Sequence, residues 1–274
     1  MRKEEVAGII DHTILKMDVD YASVKLVCME AIRFNFAAVV VFPLHIPLCV
    51  KLLEDSNVKI CAALTWPWGS RTKEIKAFEA IDAISKGADE CEVVVNIGAL
   101  RQKRYDVVEE ELVLFRKATH EKIAKVIIET CFLTDEEKVK VCEIAKGIGV
   151  DIINTSTDFY SPPTIEDVKL IKEVVGDSLG VKASGSINNA KQAKLMIEAG
   201  ATRIGTSYGV EIVEGWVEDF PLVKKVITEQ EILKANKEGV RNIFLYRGDI
   251  LTPAASDLAR ASGIAIFCEG KRLF

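Results

Sequence analysis

The chain has 274 residues, 49% of them apolar and 28% charged, with a formal net charge of −5. That is enough for one large α/β domain, alone or with an appendage, and the acidic balance without a basic stripe excludes nucleic acid as the main partner. No apolar run approaches the ~20 residues of a membrane span, and Met1-Arg2-Lys3-Glu4-Glu5 leads into no signal-peptide core, so a cytoplasmic chain without membrane contact is expected.

Short apolar runs then alternate with longer segments of helical period. The strand candidates are Ile9–Leu15, Ala37–Phe42, Lys59–Thr65, Cys91–Asn96, Ala124–Glu129, Asp151–Thr155, Gly180–Ser184 and Arg203–Thr206. They are rich in β-branched residues and apolar on both faces, as parallel strands covered by helices are. Between them, Lys73–Lys86 aligns Ile75, Phe78, Ile81 and Ile84 in one stripe with Lys and Glu opposite. Thr134 and Glu137 make a capping box for a helix running to Ala145. Thr164, behind two prolines, starts the next helix, and Asn188 or Asn189 starts the one ending at Gly200. Eight such strands alternating with helices predict a (β/α)₈ TIM barrel, whose typical size is about 250 residues. We assign it to residues 1–219. A doubly wound sheet would carry a G-x-G-x-x-G turn, which is absent.

Beyond residue 220 the rhythm changes. Ile227–Glu238 predicts a helix with Thr228 and Glu231 as its capping box, and Asn242–Tyr246 a strand. Arg247-Gly248-Asp249 reads as a turn, Thr252-Pro253 as the start of a short helix, and Ile264–Cys268 as a last strand. This C-terminal extension, residues 220–274, is small for a robust core of its own.

The seven cysteines (Cys28, Cys49, Cys61, Cys91, Cys131, Cys142, Cys268) are scattered and show no C-x-x-C spacing, and His12, His45 and His120 are equally dispersed. No metal and no cofactor is therefore expected. Barrel active sites lie at the carboxyl ends of the strands, which directs attention to the polar residues there. Lys182 sits inside an apolar strand, where a charge must be paired or its pKa lowered. Period-two alternation puts Lys125, Ile127 and Glu129 on one face, and Asn154 on the same face as Ile152. Gly185-Ser186 and Gly205-Thr206-Ser207 follow strands seven and eight, where barrels commonly build a phosphate cradle. The alternative is a pair of tight turns.

Several separated motifs, in this order, resemble the deoxyribose-phosphate aldolase family over residues 8 to 212. They are Ile10-Asp11-His12-Thr13, Lys76–Glu79 before Gly87-Ala88-Asp89-Glu90, Asn96-Ile97-Gly98-Ala99-Leu100, Lys125–Thr130, Thr155-Ser156-Thr157, Lys182-Ala183-Ser184-Gly185 and Arg203-Ile204-Gly205-Thr206-Ser207. The resemblance implies reversible aldol cleavage of a small sugar phosphate or related carbonyl compound, without cofactor. It also implies a Schiff-base lysine where this chain has Asn154, a second lysine at Lys182, and a catalytic aspartate where this chain has Glu92. Asp11 is implied as a carboxylate partner of the interior lysines. Thr157, Gly185, Ser186, Gly205 and Ser207 fall at the implied phosphate end.

An amide nitrogen cannot form an imine, so altered specificity or reduced activity is expected. Lys182, without a like-charged neighbour, is expected to be more firmly protonated; whether it can itself be the nucleophile is a matter of geometry. A salt bridge between Glu92 and Lys182 is the structural alternative to a catalytic pair. Val40, Phe42, Asp158 and Trp66-Pro67-Trp68-Gly69 also depart from the family pattern, and Asp158 disfavours an anionic substrate. The competing function is a catalytically inactive paralogue that binds or scaffolds. The extension resembles segments of bacterial microcompartment-associated proteins, which implies a microcompartment partner; a capping or dimer element is the alternative, and a homodimer is expected.

Overall fold

The computed structural model describes residues 1–217, 226–245, 249–268 and 271–273, and the chain divides into two compact units. The expected boundary at 219/220, Tyr246 and the Arg247-Gly248 part of the expected turn lie outside the described residues.

In the first unit eight strands close in sequence order into a barrel, all neighbouring pairs parallel, β1 joining β8. They are β1 (Ile10–Thr13), β2 (Ala38–Val41), β3 (Lys59–Leu64), β4 (Glu90–Val94), β5 (Ile123–Ile127), β6 (Ile152–Asn154), β7 (Gly180–Ser184) and β8 (Arg203–Thr206). The expected β7 and β8 match residue for residue. Others are shorter than their apolar runs because residues such as Thr65 and Glu129 leave the extended region with positive φ. The outer layer is α1 (Lys3–Ala7), α2 (Tyr21–Phe34), α3 (Ile46–Leu53), α4 (Lys73–Ser85), α5 (Ile97–Arg101), α6 (Tyr105–Thr119), α7 (Asp135–Ile148), α8 (Ile165–Val175), α9 (Ala190–Glu198) and α10 (Gly209–Glu214). The Thr134–Glu137 capping box opens α7, and Asn189, not Asn188, caps α9 through the amide of Gln192.

The stripe expected to be the apolar face of α4 points the other way. Ile75, Phe78 and Ile81 are exposed, whereas Lys76, Ala77, Ala80 and Ala83 are buried. Alanines let the helix approach the sheet closely, and Lys76 is drawn inward to two oxygens: its Nζ donates to Val94 O at 2.7 Å and pairs with Glu111 at 2.8 Å. Burial lowers the Lys76 pKa and raises that of Glu111, each opposed by the other's charge. Lys76→Ala should strand the Glu111 carboxylate and cost about 3–5 kcal/mol, read as a lower urea midpoint at unchanged slope. The double replacement Lys76→Met with Glu111→Leu is expected to recover most of that loss.

The barrel interior has two unlike halves. Ala38, Val40, Cys61 and Ala63 form a small apolar cluster with Leu15 and Trp66 against it. Charged side chains from β1, β4, β5, β7 and β8 fill the rest.

The second unit contains β9 (Val226–Ile227) paired with β11 (Ile250–Leu251), and a sheet of β10 (Asn242–Leu245), β12 (Ala265–Cys268) and β13 (Lys271–Arg272). Helix α11 (Glu229–Lys237) begins at the expected Thr228–Glu231 capping box, and α12 (Pro253–Ala261) at Thr252. Ile227, Ile232, Leu245, Ala255, Ala259, Ile264 and Ile266 are buried together. This unit does have a core of its own.

Candidate active site

Neighbouring strands set the spacing of the polar side chains. Asn154 on β6 is in register with Lys182 on β7, and Glu92 on β4 with Lys125 on β5. Lys182 Nζ contacts Glu92 Oε2 at 2.7 Å and Asp11 Oδ2 at 3.0 Å. Asn154 Nδ2 donates to the same Glu92 oxygen at 3.3 Å. Lys125 Nζ reaches Asp11 at 2.6 Å and Glu90 at 2.5 Å, and Arg203 bridges Asp11 and Glu90. Asp11, Glu90, Glu92, Lys125 and Lys182 are all buried.

Asp11, Glu90 and Glu92 thus meet Lys125, Lys182 and Arg203 in one connected set whose charges balance. Burial alone would lower the Lys182 pKa, but Asp11 and then Glu92 more than offset it, so the ammonium form is held above its ordinary range. Burial would raise Asp11, but Lys125, Lys182 and Arg203 hold its carboxyl well below the usual carboxylate range. Lys125 is likewise held charged, chiefly by Asp11 against the effect of burial. Lys182 is therefore a firmly held cation in the resting site, while Lys125 is buried and is not among the residues that line the pocket.

The pocket above this set is lined by Thr13, Leu15, Trp66, Glu92, Ile127, Asn154, Lys182 and Ser184, with Asp158 and Ser207 toward the mouth. The cavity has a volume of about 30 Å³, room for about two waters. Lys182 is the one amine among its lining residues. Gly205 lies inside β8, not after it; a Cβ there would sit 2.7 Å from Lys182 Cε and 2.2 Å from Ser184 Oγ. The missing side chain makes room for the lysine.

The remaining sequence candidates cluster at the carboxyl ends of β6, β7 and β8. Thr157 donates from its amide and its hydroxyl to Glu129, at 3.0 and 2.6 Å. Burial raises the Glu129 pKa, opposed by those bonds. Gly185 has φ +118°, and a Cβ there would be 2.8 Å from Ser156 Oγ, so glycine is required. Ser186 donates from its amide to Asp158 Oδ1 at 2.7 Å. Ser207 Oγ donates to Thr13 O at 2.8 Å.

Sequence reasoning passed over Glu90 and Arg203, although Glu90 shares the inward face of β4 with Glu92 and Arg203 opens β8 one residue pair before Gly205. It also missed Ser184, whose Oγ is buried at the pocket without a hydrogen-bond partner among the described residues. Among those residues no group of three or more His, Cys, Asp or Glu is placed to hold a metal ion, and no helix is long and apolar enough to cross a membrane.

No protein-family model matches the chain. Curated relatives do. The chain is 49% identical over 221 residues to a deoxyribose-phosphate aldolase of Clostridium perfringens, which covers 80% of this chain and 99% of the relative. It is 50% identical over 212 residues to that of Clostridium tetani, covering 77% and 98%. Among solved structures, a putative deoxyribose-phosphate aldolase from Coccidioides immitis superposes with a TM-score of 0.76 at 33% identity, covering 78% of this chain and 86% of that one. Identity at this level across nearly the whole length of the relatives, on a barrel with the same strand order as the motifs, shows that the chain belongs to the deoxyribose-phosphate aldolase family of carbon–carbon lyases.

Proposed function

We propose that the barrel catalyses aldol cleavage of a small carbonyl compound at a rate reduced by the loss of the usual amine, with Lys182 as the nucleophile and Glu92 as its proton acceptor. The observation that carries this reading is that Lys182, the one amine among the described residues lining the pocket, lies 2.7 Å from a buried carboxylate. Lys182 gives one proton to Glu92, its neutral nitrogen adds to the carbonyl carbon, and Glu92 returns the proton to the resulting hydroxyl, which leaves as water to give an iminium. The carbon–carbon bond then breaks toward the iminium as Glu92 takes the proton of the departing hydroxyl, releasing an aldehyde. Return of the proton to the enamine carbon and addition of water free the second carbonyl product and regenerate the amine.

The low rate follows from the charge balance. A lysine at its ordinary pKa is neutral roughly once in 2,500 at pH 7, and Lys182 is held above that value by Asp11 and Glu92. Borohydride trapping with acetaldehyde should label Lys182, identified by mass after digestion. Because the raised pKa leaves the neutral form scarce at pH 7, the trapping rate is expected to climb about tenfold per pH unit between 7 and 9. Lys182→Met should remove the adduct. Absence of an adduct at any pH would instead favour the binding or scaffolding role.

A further inference from the structure

The loops after β7 and β8 are where barrels of this kind commonly hold a phosphate, through backbone N–H groups. Here one backbone donor of that region, the Ser186 amide, is already engaged. Asp158, on the loop after β6, accepts from the Ser186 amide at 2.7 Å and from its hydroxyl at 3.3 Å. Both residues have positive φ, +66° and +51°, conformations that L side chains other than Asn and Asp seldom adopt. The two loops are stitched once more below this contact, where Ser156 Oγ donates to Ser184 O at 2.6 Å. The carboxylate is thus built into the loop pair.

The charges of the pocket agree. Its lining residues carry two carboxylates, Glu92 and Asp158, and one cation, Lys182, which is engaged by Glu92 and Asp11. A phosphomonoester brings about −1.5 to −2 charges at pH 7, and no lining cation is free to meet them. Arg71 lies in an adjoining recess that it shares with Glu79.

One lining residue, Trp66, joins the pocket to a set of aromatic rings beside it. Phe42 and Trp66 meet edge to face at 5.6 Å, and Trp66 and Phe159 at 5.9 Å. Trp68 packs on Phe159 at 6.2 Å, and both of these rings are exposed. Trp66 Nε1 donates to Thr157 O at 3.3 Å, tying the aromatic row to the loop that carries Asp158. Half-buried Trp66 thus leads out to the exposed rings of Trp68 and Phe159, an apolar surface beside a polar pocket that a ligand can cover. Within the pocket, Ser184 Oγ, without a partner among the described residues, is a hydroxyl group available to a neutral oxygen.

We propose that the Asp158 carboxylate is a built-in anion filling the phosphate seat of this barrel, and that the site takes uncharged aldehydes in place of sugar phosphates, the carbonyl end entering the small cavity and the alkyl or aryl end staying outside it against Trp66. This rests on the carbon–carbon lyase reading, from which its test is separable.

The purified full chain and its Asp158→Gly variant would be titrated with propanal, phenylacetaldehyde and glyceraldehyde 3-phosphate. Binding is followed by tryptophan fluorescence and calorimetry, and condensation of each with acetaldehyde by product analysis. We expect phenylacetaldehyde to bind the unmodified chain at least tenfold more tightly than glyceraldehyde 3-phosphate does. Asp158→Gly should tighten the phosphorylated aldehyde at least tenfold and leave propanal within twofold. Equal or tighter binding of the phosphorylated compound to the unmodified chain would overturn the proposal, as would no binding of any of the three, or no gain in Asp158→Gly. Binding of the expected pattern with no condensation product would leave the substrate class standing and sink the lyase reading. Condensation that prefers the phosphorylated aldehyde would do the reverse.

Discussion

Asn154→Lys is expected to raise the rate of aldol cleavage by about 10- to 1,000-fold at pH 7, measured as acetaldehyde released from 2-deoxyribose. The reason is the count of charges inside the barrel. Three carboxylates and three cations are matched there, so each cation keeps its proton. A fourth cation, one strand from Lys182 in register, has no carboxylate left to balance it. One of the adjacent amines must then give up its proton, and shifts of about 1–3 pKa units between such neighbours are ordinary. The neutral fraction, and with it imine formation, rises by the corresponding factor. Glu92, which already accepts from Asn154 Nδ2 and from Lys182, would face the introduced amine directly. Borohydride should then trap the adduct at position 154, with little at Lys182. An unchanged rate would mean that the glutamate's extra methylene, or the aromatic mouth, limits the reaction more than the amine does; misplacements of about 1 Å can cost on the order of a hundredfold.

The second large effect is on stability. Asp11→Ala removes the carboxylate that three cations share, and Asp11 is fully buried. Unpaired buried charge costs about 3–5 kcal/mol, which for a chain of this size lowers the melting temperature by on the order of 10 °C. The Asp11 pKa is depressed in the folded protein, so its contribution is complete above the unfolded aspartate value of ~3.9 and is lost as pH falls through the lower folded value. The difference in stability between the two proteins is therefore expected to be constant from pH 8 to pH 5 and to shrink below about pH 4. Urea titrations at a series of pH values measure it. A difference that instead vanished near pH 6 would show that another group carries the balance.

Much of the barrel was legible because its strands are short, β-branched and apolar on both faces. The limits of β7 and β8 followed from that pattern alone. A lysine in an apolar strand demands a carboxylate, but it was the family resemblance, not the strand pattern, that singled out Asp11 as the partner. Other features were not legible. Helix α4 turned its alanines inward because close approach and the Lys76–Glu111 pair outweighed the larger apolar side chains, and periodicity cannot say which of two stripes meets the sheet. The Asp158–Ser186 contact joins residues 28 positions apart through two left-handed backbones. Composition carries no sign of it. In the second unit, the paired strands β9 and β11 have two residues each, too short for any alternation to register.

The closed barrel also bears on how the chain is made. Until β8 exists, β1 has no partner on one side, and at ordinary rates of synthesis it waits roughly 10–40 s for it. An open parallel sheet with a bare edge is a template for aggregation, which inward-pointing charges discourage. Asp11, Glu90, Glu92, Lys125, Lys182 and Arg203 all point into the barrel. Before closure they keep the inner surface of the growing sheet hydrated and poorly suited to stacking on another chain. Only when the ends meet does Arg203 reach Asp11 and complete the set, so the same six side chains guard the unfinished sheet and lock the finished one.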